Sequence, residues 1–191
     1  RFKTEFQEVT ETYIIGDSVK VTGFAKALLG SNITDAPVAY TVTRTENVPY
    51  WKYGYMPVDQ QVMANDTTIT KADGTFTIPF KALPDSTLVA KDIESNYNYR
   101  IEASVTDING ETRTAETTVR VGYKPIEVQI SRNGVLSVEN NKVQVIARNL
   151  NGKPVKATIE LQIRSNSNSD HVIVESGLEE AEFHELNLQE Y

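Results

Sequence analysis

Histidines are the first residues to examine for chemistry, because an imidazole can act as a general base or bind a metal near neutral pH. The 191-residue chain contains two, His171 and His184. Neither has a histidine, aspartate or glutamate at the spacing of a metal site or a catalytic triad. His184 also stands among several glutamates. We therefore expect both histidines to lie at the surface without a catalytic or metal-binding role.

Two dipeptides that pair an Asx residue with glycine, Asp73-Gly74 and Asn109-Gly110, admit two interpretations. They could belong to a calcium site, which would need the oxygens of Asp66, Asp73 and Asp107 to converge. They could instead be turns, since glycine and asparagine adopt positive φ angles at the least cost. The spacing of the aspartates matches no calcium loop. The sequence therefore favours tight hairpin turns and no metal.

The sequence also lacks the residues and motifs that are typical of other kinds of active site. The chain has no cysteine, which excludes disulfides, thiolate metal ligands and cysteine nucleophiles. No Gly-x-Ser-x-Gly elbow, catalytic Ser-x-x-Lys or glycine-rich phosphate loop stands out, and the carboxylates are scattered. We expect no catalytic residue, no cofactor and no enzymatic activity.

The segment VPYWKYGYMP is the most distinctive stretch and carries the one candidate interface: Tyr50, Trp51, Tyr53 and Tyr55. Dense aromatics bury a large area at a low entropy cost while keeping a polar tip. They could pack on their own domain or on a neighbouring one, contact a protein partner, or stack on sugar rings. The sequence favours packing within the protein and leaves the other two open.

Charge and hydropathy narrow the class of partner. The formal net charge is -7 and the basic residues are scattered, so no cationic stripe exists to bind a nucleic-acid backbone. No apolar run approaches the roughly 20 residues that span a bilayer. We expect no nucleic acid and no direct membrane insertion, in either a cytosolic protein or an internal piece of an exported one.

The elements that would position these residues are β-strands. Residues 1 to 123 alternate apolar and polar side chains, as a strand with one buried face requires, and turn residues separate the runs. About seven strands at this spacing predict an all-β antiparallel sandwich. The residues predicted to face inward are Val19, Val21, Val38, Tyr40, Val42, Phe76, Ile78, Phe80, Tyr99, Ile101, Ala103, Val105, Val119 and Val121.

A domain joint is predicted at residues 121 to 125, where glycine and proline interrupt the alternation. This gives one domain over 1-123 and a second over 124-191, where a similar pattern restarts. Residues 19 to 44 and 143 to 164 share the order strand, glycine turn, Pro-Val, strand, which predicts tandem copies of one module. The second is short for a complete sandwich. Its acidic tail from Ser176 fits a short helix, a strand or a loop.

An ordered set of motifs in the first module resembles the macroglobulin-like domains of the α2-macroglobulin family, particularly its bacterial members. The set comprises Gly16-Asp17 before Val19, Val21 and Gly23; Pro37-Val38 opening a strand that ends in Arg44; Asp73-Gly74-x-Phe76; and Tyr99 leading to Asp107-x-Asn109-Gly110. It covers nearly all of residues 1 to 123. The second module matches more weakly, through ARNLNGKPVKATIELQI.

This resemblance implies two consecutive fibronectin-like or immunoglobulin-like sandwiches from a large exported protein that engages proteases through a bait segment. The family's thioester needs a cysteine, which this chain lacks. The expected role is a non-catalytic structural fragment of a broad-spectrum protease inhibitor of the bacterial cell envelope or extracellular space. Its partners would be neighbouring domains of the same chain, with the target protease meeting other parts. The alternative is a fibronectin-like adhesion or carbohydrate-binding module.

Overall fold

The computed structural model describes residues 1–48, 53–54, 59–132, 142–164, 169–176 and 182–185. Within these ranges the elements are mainly strands. In chain order they are β1 (Phe2–Phe6), β2 (Ser18–Ala27), β3 (Pro37–Asn47), β4 (Gln60–Ile69), β5 (Thr75–Lys81), α1 (Ser86–Ala90), β6 (Asn96–Thr106), β7 (Thr112–Val121), β8 (Ile126–Arg132), β9 (Lys142–Asn149), β10 (Ala157–Arg164), β11 (Ser169–Ser176) and β12 (Glu182–Glu185). The chain is all-β, as predicted.

The chain divides into two compact units, Arg1–Pro125 and Ile126–Tyr191. Unit 1 contains two antiparallel sheets, with strand orders β1-β2-β5 and β4-β3-β6-β7. Each sheet turns one apolar face toward the other, so unit 1 has the sandwich architecture that the alternation predicts.

The core of unit 1 is built from the inward positions of both sheets. Every residue predicted to face inward is buried, and Phe2, Ala25, Leu88, Ile93 and Tyr97 join them in one cluster. Burying each aliphatic or aromatic side chain contributes about 1.5 to 3 kcal/mol. The core therefore offsets much of the entropy that these strands lose on folding.

Gly23 lies at the centre of β2 with a phenylalanine on each side. Its cross-strand neighbours are Phe6 on β1 and Phe76 on β5. Because glycine has no side chain, the two rings meet above it edge to face, with centroids 5.6 Å apart. The glycine makes room for an aromatic pair in the core.

Among the described residues, one kind of five-residue turn occurs four times. In each copy the N–H of the first residue donates to the carbonyl of the fifth. The N–H of the fourth residue, a glycine with positive φ, donates to the carbonyl of the first. The copies are residues 27–31, 71–75, 107–111 and 149–153. This is a type I turn closed by a left-handed glycine.

The turns at 27–31 and 149–153 support the predicted repeat. After each turn the chain pairs back on the preceding strand: Ile33 N–H donates to the carbonyl of Ala25, and Val155 N–H donates to that of Ala147. The distance along the sequence from Ile33 to Val155 is the same as that from Ala25 to Ala147. The two Pro-Val pairs do not occupy equivalent positions in the two copies. Pro37 begins β3, whereas Pro154 pairs with Arg148 before β10 begins.

Unit 2 follows the order of the first five strands of unit 1. Its β9 lies between β8 and β12 as β2 lies between β1 and β5, and β10 pairs with β11 as β3 pairs with β4. Val143, Val145 and Ala147 of β9 are buried. Within the acidic tail, the described residues Glu182–Glu185 form a strand rather than a helix.

Candidate functional site

Arg44 is the centre of the most developed polar cluster among the described residues. It is the one charged residue in their buried set, at 2% exposure, and it continues the inward series of Val38, Tyr40 and Val42 on β3. Its guanidinium donates to Asp85 Oδ2 at 2.6 Å, to Gln61 Oε1 at 2.7 Å and to the carbonyl of Leu83 at 3.1 Å. Arginine stays charged at any physiological pH, so these acceptors stabilise a permanent buried cation.

Asp85 links this cluster to helix α1. It is the N-cap residue, and its Oδ1 accepts from the backbone N–H of Thr87 at 2.7 Å and of Leu88 at 3.3 Å. The hydrogen bond from the Thr87 hydroxyl, with help from these amides and Arg44, holds the pKa of Asp85 below its ordinary value. Its contribution to stability is therefore present at neutral pH and is lost as the pH falls through that lowered pKa.

Two tyrosines of β6 complete the cluster. The hydroxyl of Tyr99 donates to the carbonyl of Leu83 at 2.7 Å, and the backbone N–H of Asp85 donates to the hydroxyl of Tyr97 at 3.1 Å. The Arg44 guanidinium lies 5.4 Å from the centroid of the Tyr97 ring. Burial raises the pKa of both phenols, which keeps them protonated. We call Arg44, Leu83, Asp85, Tyr97 and Tyr99 the Arg44 clasp.

The clasp connects separate elements of unit 1. It ties the connection between β5 and β6 to strands β3 and β6 of the opposite sheet. The lowered pKa of Asp85 keeps its carboxylate ionised near neutral pH, and the raised pKa values of Tyr97 and Tyr99 keep both phenols protonated there. Its geometry fits a fixed corner of the sandwich.

A cavity of about 190 Å³ opens beside the clasp, between the end of β3 and α1. Its charged lining comes from Glu46, Asp59, Asp85 and Lys91. The Glu46 carboxylate accepts from the N–H of Asp59 at 3.2 Å and from Arg44 at 3.5 Å. Across the described ranges, no three histidine or acidic side chains are grouped to hold a metal ion.

The aromatic segment is placed only in part. Tyr53 is half-buried and packs against the core of its own unit. The other three members of the predicted interface, Tyr50, Trp51 and Tyr55, lie outside the described residues. Tyr53 gives the carbohydrate and adhesion alternatives no support.

The other candidate residues lie on separate strands and turns. His171 lies on β11 opposite Gln162, and His184 lies on β12 opposite Val143. Asp66 is on β4, whereas Asp73 and Asp107 serve their own turns. Asp73 accepts from Thr75 at 2.9 Å, and Asp107 Oδ1 accepts from the N–H groups of Asn109 and Glu111, both at 2.9 Å.

The hairpin prediction holds at one glycine turn and needs correction at the other. Asn109-Gly110 joins β6 to β7, which pair directly. Asp73-Gly74 joins β4 to β5, which belong to different sheets, so that turn is a corner between the layers. In both turns the positive φ belongs to the glycine, not to the residue before it. The chain must change layers there because β4 pairs with β3 while β5 pairs with β2.

This difference between the two turns predicts different costs for alanine. Gly110 has a φ of 80° and open space around its Cα, so Gly110→Ala should cost about 1 kcal/mol of backbone strain. Gly74 has a φ of 78°, and an added Cβ would also lie 2.7 Å from the carbonyl oxygen of Ala25. Gly74→Ala should therefore cost roughly 2 to 3 kcal/mol. Urea unfolding of both variants provides the measurement; equal losses would contradict the clash at Gly74.

Sequence reasoning did not connect Arg44 with Asp85. In the sequence, Arg44 marks the end of a strand motif, and Asp85 follows a proline in a pair that is typical of a turn. The available signal was the phase of Arg44, which shares the parity of Val38, Tyr40 and Val42 on an inward-facing series. A charged residue at a core position requires a buried partner, but the partner lies 41 residues away in sequence.

The fold defines a β-sandwich class of domain, and comparison with known proteins makes this more specific. No family model and no curated protein matches the sequence. Solved structures do match. Escherichia coli alpha-2-macroglobulin in its native conformation is 9% identical with a TM-score of 0.53, and the match covers 97% of this chain and 14% of that one.

Two further structures agree. Salmonella alpha-2-macroglobulin reacted with methylamine is 10% identical with a TM-score of 0.53, covering 99% of this chain and 14% of that one. Escherichia coli alpha-2-macroglobulin activated by porcine elastase is 8% identical with a TM-score of 0.53, covering 96% and 19%. The chain thus shares the fold of a segment of bacterial alpha-2-macroglobulin, which confirms the predicted resemblance at the level of fold. It spans about one seventh of the first of these proteins.

Proposed function

We propose that this chain is a non-catalytic structural segment of an α2-macroglobulin-like protease inhibitor. The observation that carries the proposal is the match of Escherichia coli alpha-2-macroglobulin over 97% of this chain. The ordered motifs of residues 1 to 123 support it independently, because they are a property of the sequence and not of the fold. Since the two sequences are 9% identical, the likeness to the Escherichia coli protein lies in the fold.

The chemistry of the described residues is in keeping with a scaffold. The largest buried polar cluster fixes a corner of unit 1, and its groups hold constant charge near neutral pH. Two carboxylates of the adjacent cavity's lining, Glu46 and Asp85, are paired with Arg44. In this proposal the segment holds and moves the parts of the parent protein that meet the protease.

The proposal places the parent protein outside the cytoplasm, in the bacterial cell envelope or the extracellular space. Among the described residues, no helix has the length and apolarity to cross a bilayer. Its immediate partners would be adjoining domains of the same polypeptide. The protease would contact segments other than residues 1–191.

The test compares this chain with the full-length parent polypeptide. Each is mixed with trypsin, and cleavage of a large protein substrate and of a small peptide substrate is measured. A trap shields the protease from large substrates and leaves small ones accessible, so the parent should slow only the first reaction. The chain 1–191 alone should change neither.

Three results would contradict the proposal. Inhibition of both reactions by residues 1–191 would make this segment a direct active-site inhibitor. A full-length parent that leaves both reactions unchanged would remove the protease-trap function. Cleavage of either substrate by residues 1–191 without trypsin would reveal an enzyme.

A further inference from the structure

Strand β4 forms one edge of the four-stranded sheet of unit 1. It pairs with β3 on one side, and among the described residues no strand pairs with it on the other. An edge strand presents a row of backbone N–H and carbonyl groups that can pair with an extended segment of another molecule. The open side of β4 is therefore a place where a further strand could add.

The sequence of β4, QQVMANDTTI, contains few of the residues that block such an addition. Proline, lysine and arginine usually protect an edge, and none of them occurs in this strand. Its single charged residue is Asp66. The other edge strands of unit 1 have more protection: Lys3 and Glu5 on the short β1, Pro79 and Lys81 on β5, and Arg113, Glu116 and Arg120 on β7.

The backbone N–H of Thr67 points to the open side of β4. Just beyond the strand, the N–H of Thr70 donates at 2.9 Å to the carbonyl of Ala36, which directly precedes β3. Successive N–H groups along a strand point to opposite sides. Those of Thr68 and Asp66 therefore face β3, and that of Thr67 faces away from it.

Asp66 occupies this outward-pointing donor. Its Oδ1 accepts from the Thr67 N–H at 2.7 Å. Asp66 is directly opposite the buried Tyr40, so its side chain leaves β4 on the inner face. Burial and then the nearby charge of Asp66 raise the pKa of the Tyr40 phenol, in keeping with that position. Asp66 itself is exposed, so its carboxylate lies at the open margin of the sandwich.

A β-bulge leaves Asp66 in the half of β4 that remains regular. The register of the β3–β4 pair shifts between Val42 and Thr43. A bulge bends its strand and disrupts the ladder of hydrogen bonds. Regular register on β4 runs over residues 64 to 69, so a further strand would pair best along the stretch that contains Asp66.

We infer that Asp66 keeps the edge of β4 closed to a second copy of this chain. A strand paired with β4 would lie about 4.8 Å from it and would have to take the Thr67 N–H from the carboxylate. The carboxylate would then lose both its donor and part of its contact with water, which is costly for a charged group. Asp66, a candidate calcium ligand in the sequence, thus acts as a guard against edge pairing.

A second copy is the partner that this charge excludes most strongly. Two β4 strands pairing edge to edge would be related by a twofold axis, so each would present the same residues to the other. The charge of Asp66 would enter the contact twice, and like charges facing each other across a strand pair are destabilising. One carboxylate per chain thus opposes self-association from both sides.

The experiment measures the self-association of residues 1–191. The masses of the unchanged chain and of its Asp66→Thr variant are followed by sedimentation equilibrium as the protein concentration rises. Threonine suits an edge strand and removes both the charge and the carboxylate acceptor. The unchanged chain should remain monomeric, and Asp66→Thr should have an association constant at least about tenfold larger.

Asp66→Asn provides a second variant of nearly the same shape. It removes the charge and retains a side-chain oxygen that can accept from Thr67, so it should associate more weakly than Asp66→Thr and more tightly than the unchanged chain. Glu102→Thr is the matched control, since it removes one negative charge from β6, which is paired on both sides. Its mass should follow that of the unchanged chain.

Hydrogen exchange locates the contact. In associated Asp66→Thr, the Thr67 amide should exchange at least about tenfold more slowly than in the monomer of that variant, because the second copy accepts from it. Asn65→Lys places a cation on an exposed residue within the regular stretch of β4. Combined with Asp66→Thr, it should restore the monomer, because edge lysines prevent strand pairing.

The proposal is overturned if neither Asp66 variant associates more tightly than the unchanged chain, or if Glu102→Thr associates as tightly as Asp66→Thr. It is also overturned if the associated variant exchanges the Thr67 amide at the monomer's rate, since the contact would then lie elsewhere. Self-association of the unchanged chain through β4 would show that the edge is open. If Asp66→Thr is unfolded by circular dichroism, Asp66→Asn decides alone. None of these outcomes depends on whether the parent inhibits trypsin, so failure here is distinct from failure of the proposed function.

Discussion

Replacing Arg44 by methionine is expected to lower the free energy of unfolding by about 3 kcal/mol. The substitution leaves Asp85 and Glu46 in an environment where their side chains are 15% and 7% exposed, without the cation that faces them. It also leaves Gln61 Oε1 and the carbonyl of Leu83 without a donor from Arg44. Urea unfolding followed by circular dichroism, at constant m value, gives the measurement.

Arg100 provides the matched control, because it pairs with Glu116 on the surface and is 58% exposed. Arg100→Met should leave the unfolding midpoint unchanged. Adding Asp85→Asn to Arg44→Met should recover part of the loss, since asparagine keeps the N-cap and removes a buried charge. Equal shifts for Arg44→Met and Arg100→Met would show that the clasp does not stabilise the fold.

Gly23→Ala is expected to cost about 2 kcal/mol, although alanine in a strand is ordinarily more favourable than glycine. A Cβ at this position would lie 2.3 Å from Cζ of Phe76. Phe76 is fully buried and contacts Phe6, so its ring has little space to move. The alanine would therefore drive apart the aromatic pair that meets above Gly23.

A double-mutant cycle with Phe76→Leu isolates this cause. The smaller side chain removes the clashing ring atoms, so the two substitutions together should cost less than the sum of their separate costs. Thr22→Ala, one residue earlier on the opposite face of β2, serves as the control for a change in strand propensity. Additive costs at Gly23 and Phe76 would refute the steric explanation.

The strands and core were predictable because a period of two is a local signal. Val38, Tyr40 and Val42 share one parity within a single strand, and no distant residue is needed to recognise it. The glycine turns are equally local, as the left-handed backbone at Gly110 shows. Alternation therefore identified the buried faces of β2, β3, β5, β6 and β7.

The remaining features depend on how distant strands meet. Asp73-Gly74 has the same local turn as Asn109-Gly110, and only the pairing partners of β4 and β5 make it a corner between sheets. The clasp needs Arg44 and Asp85, which come together only after both sheets have formed. In β8 the alternation predicted a covered face, and the described residues leave it exposed. Local patterns report which face a residue occupies but not what packs on it.

The two ends of unit 1 lie at opposite poles of its sandwich. The backbone nitrogen of Arg1 lies 3.5 Å from the carboxylate of Glu111, at the tip of the β6–β7 hairpin, whereas the carbonyl of Gly122 at the far end of β7 accepts from the N–H of Ile15. A pull applied to both ends would slide β1 lengthwise along β2, so that all their hydrogen bonds resist together instead of opening one by one. We expect unit 1 to behave as a stiff mechanical link that carries tension along its strands.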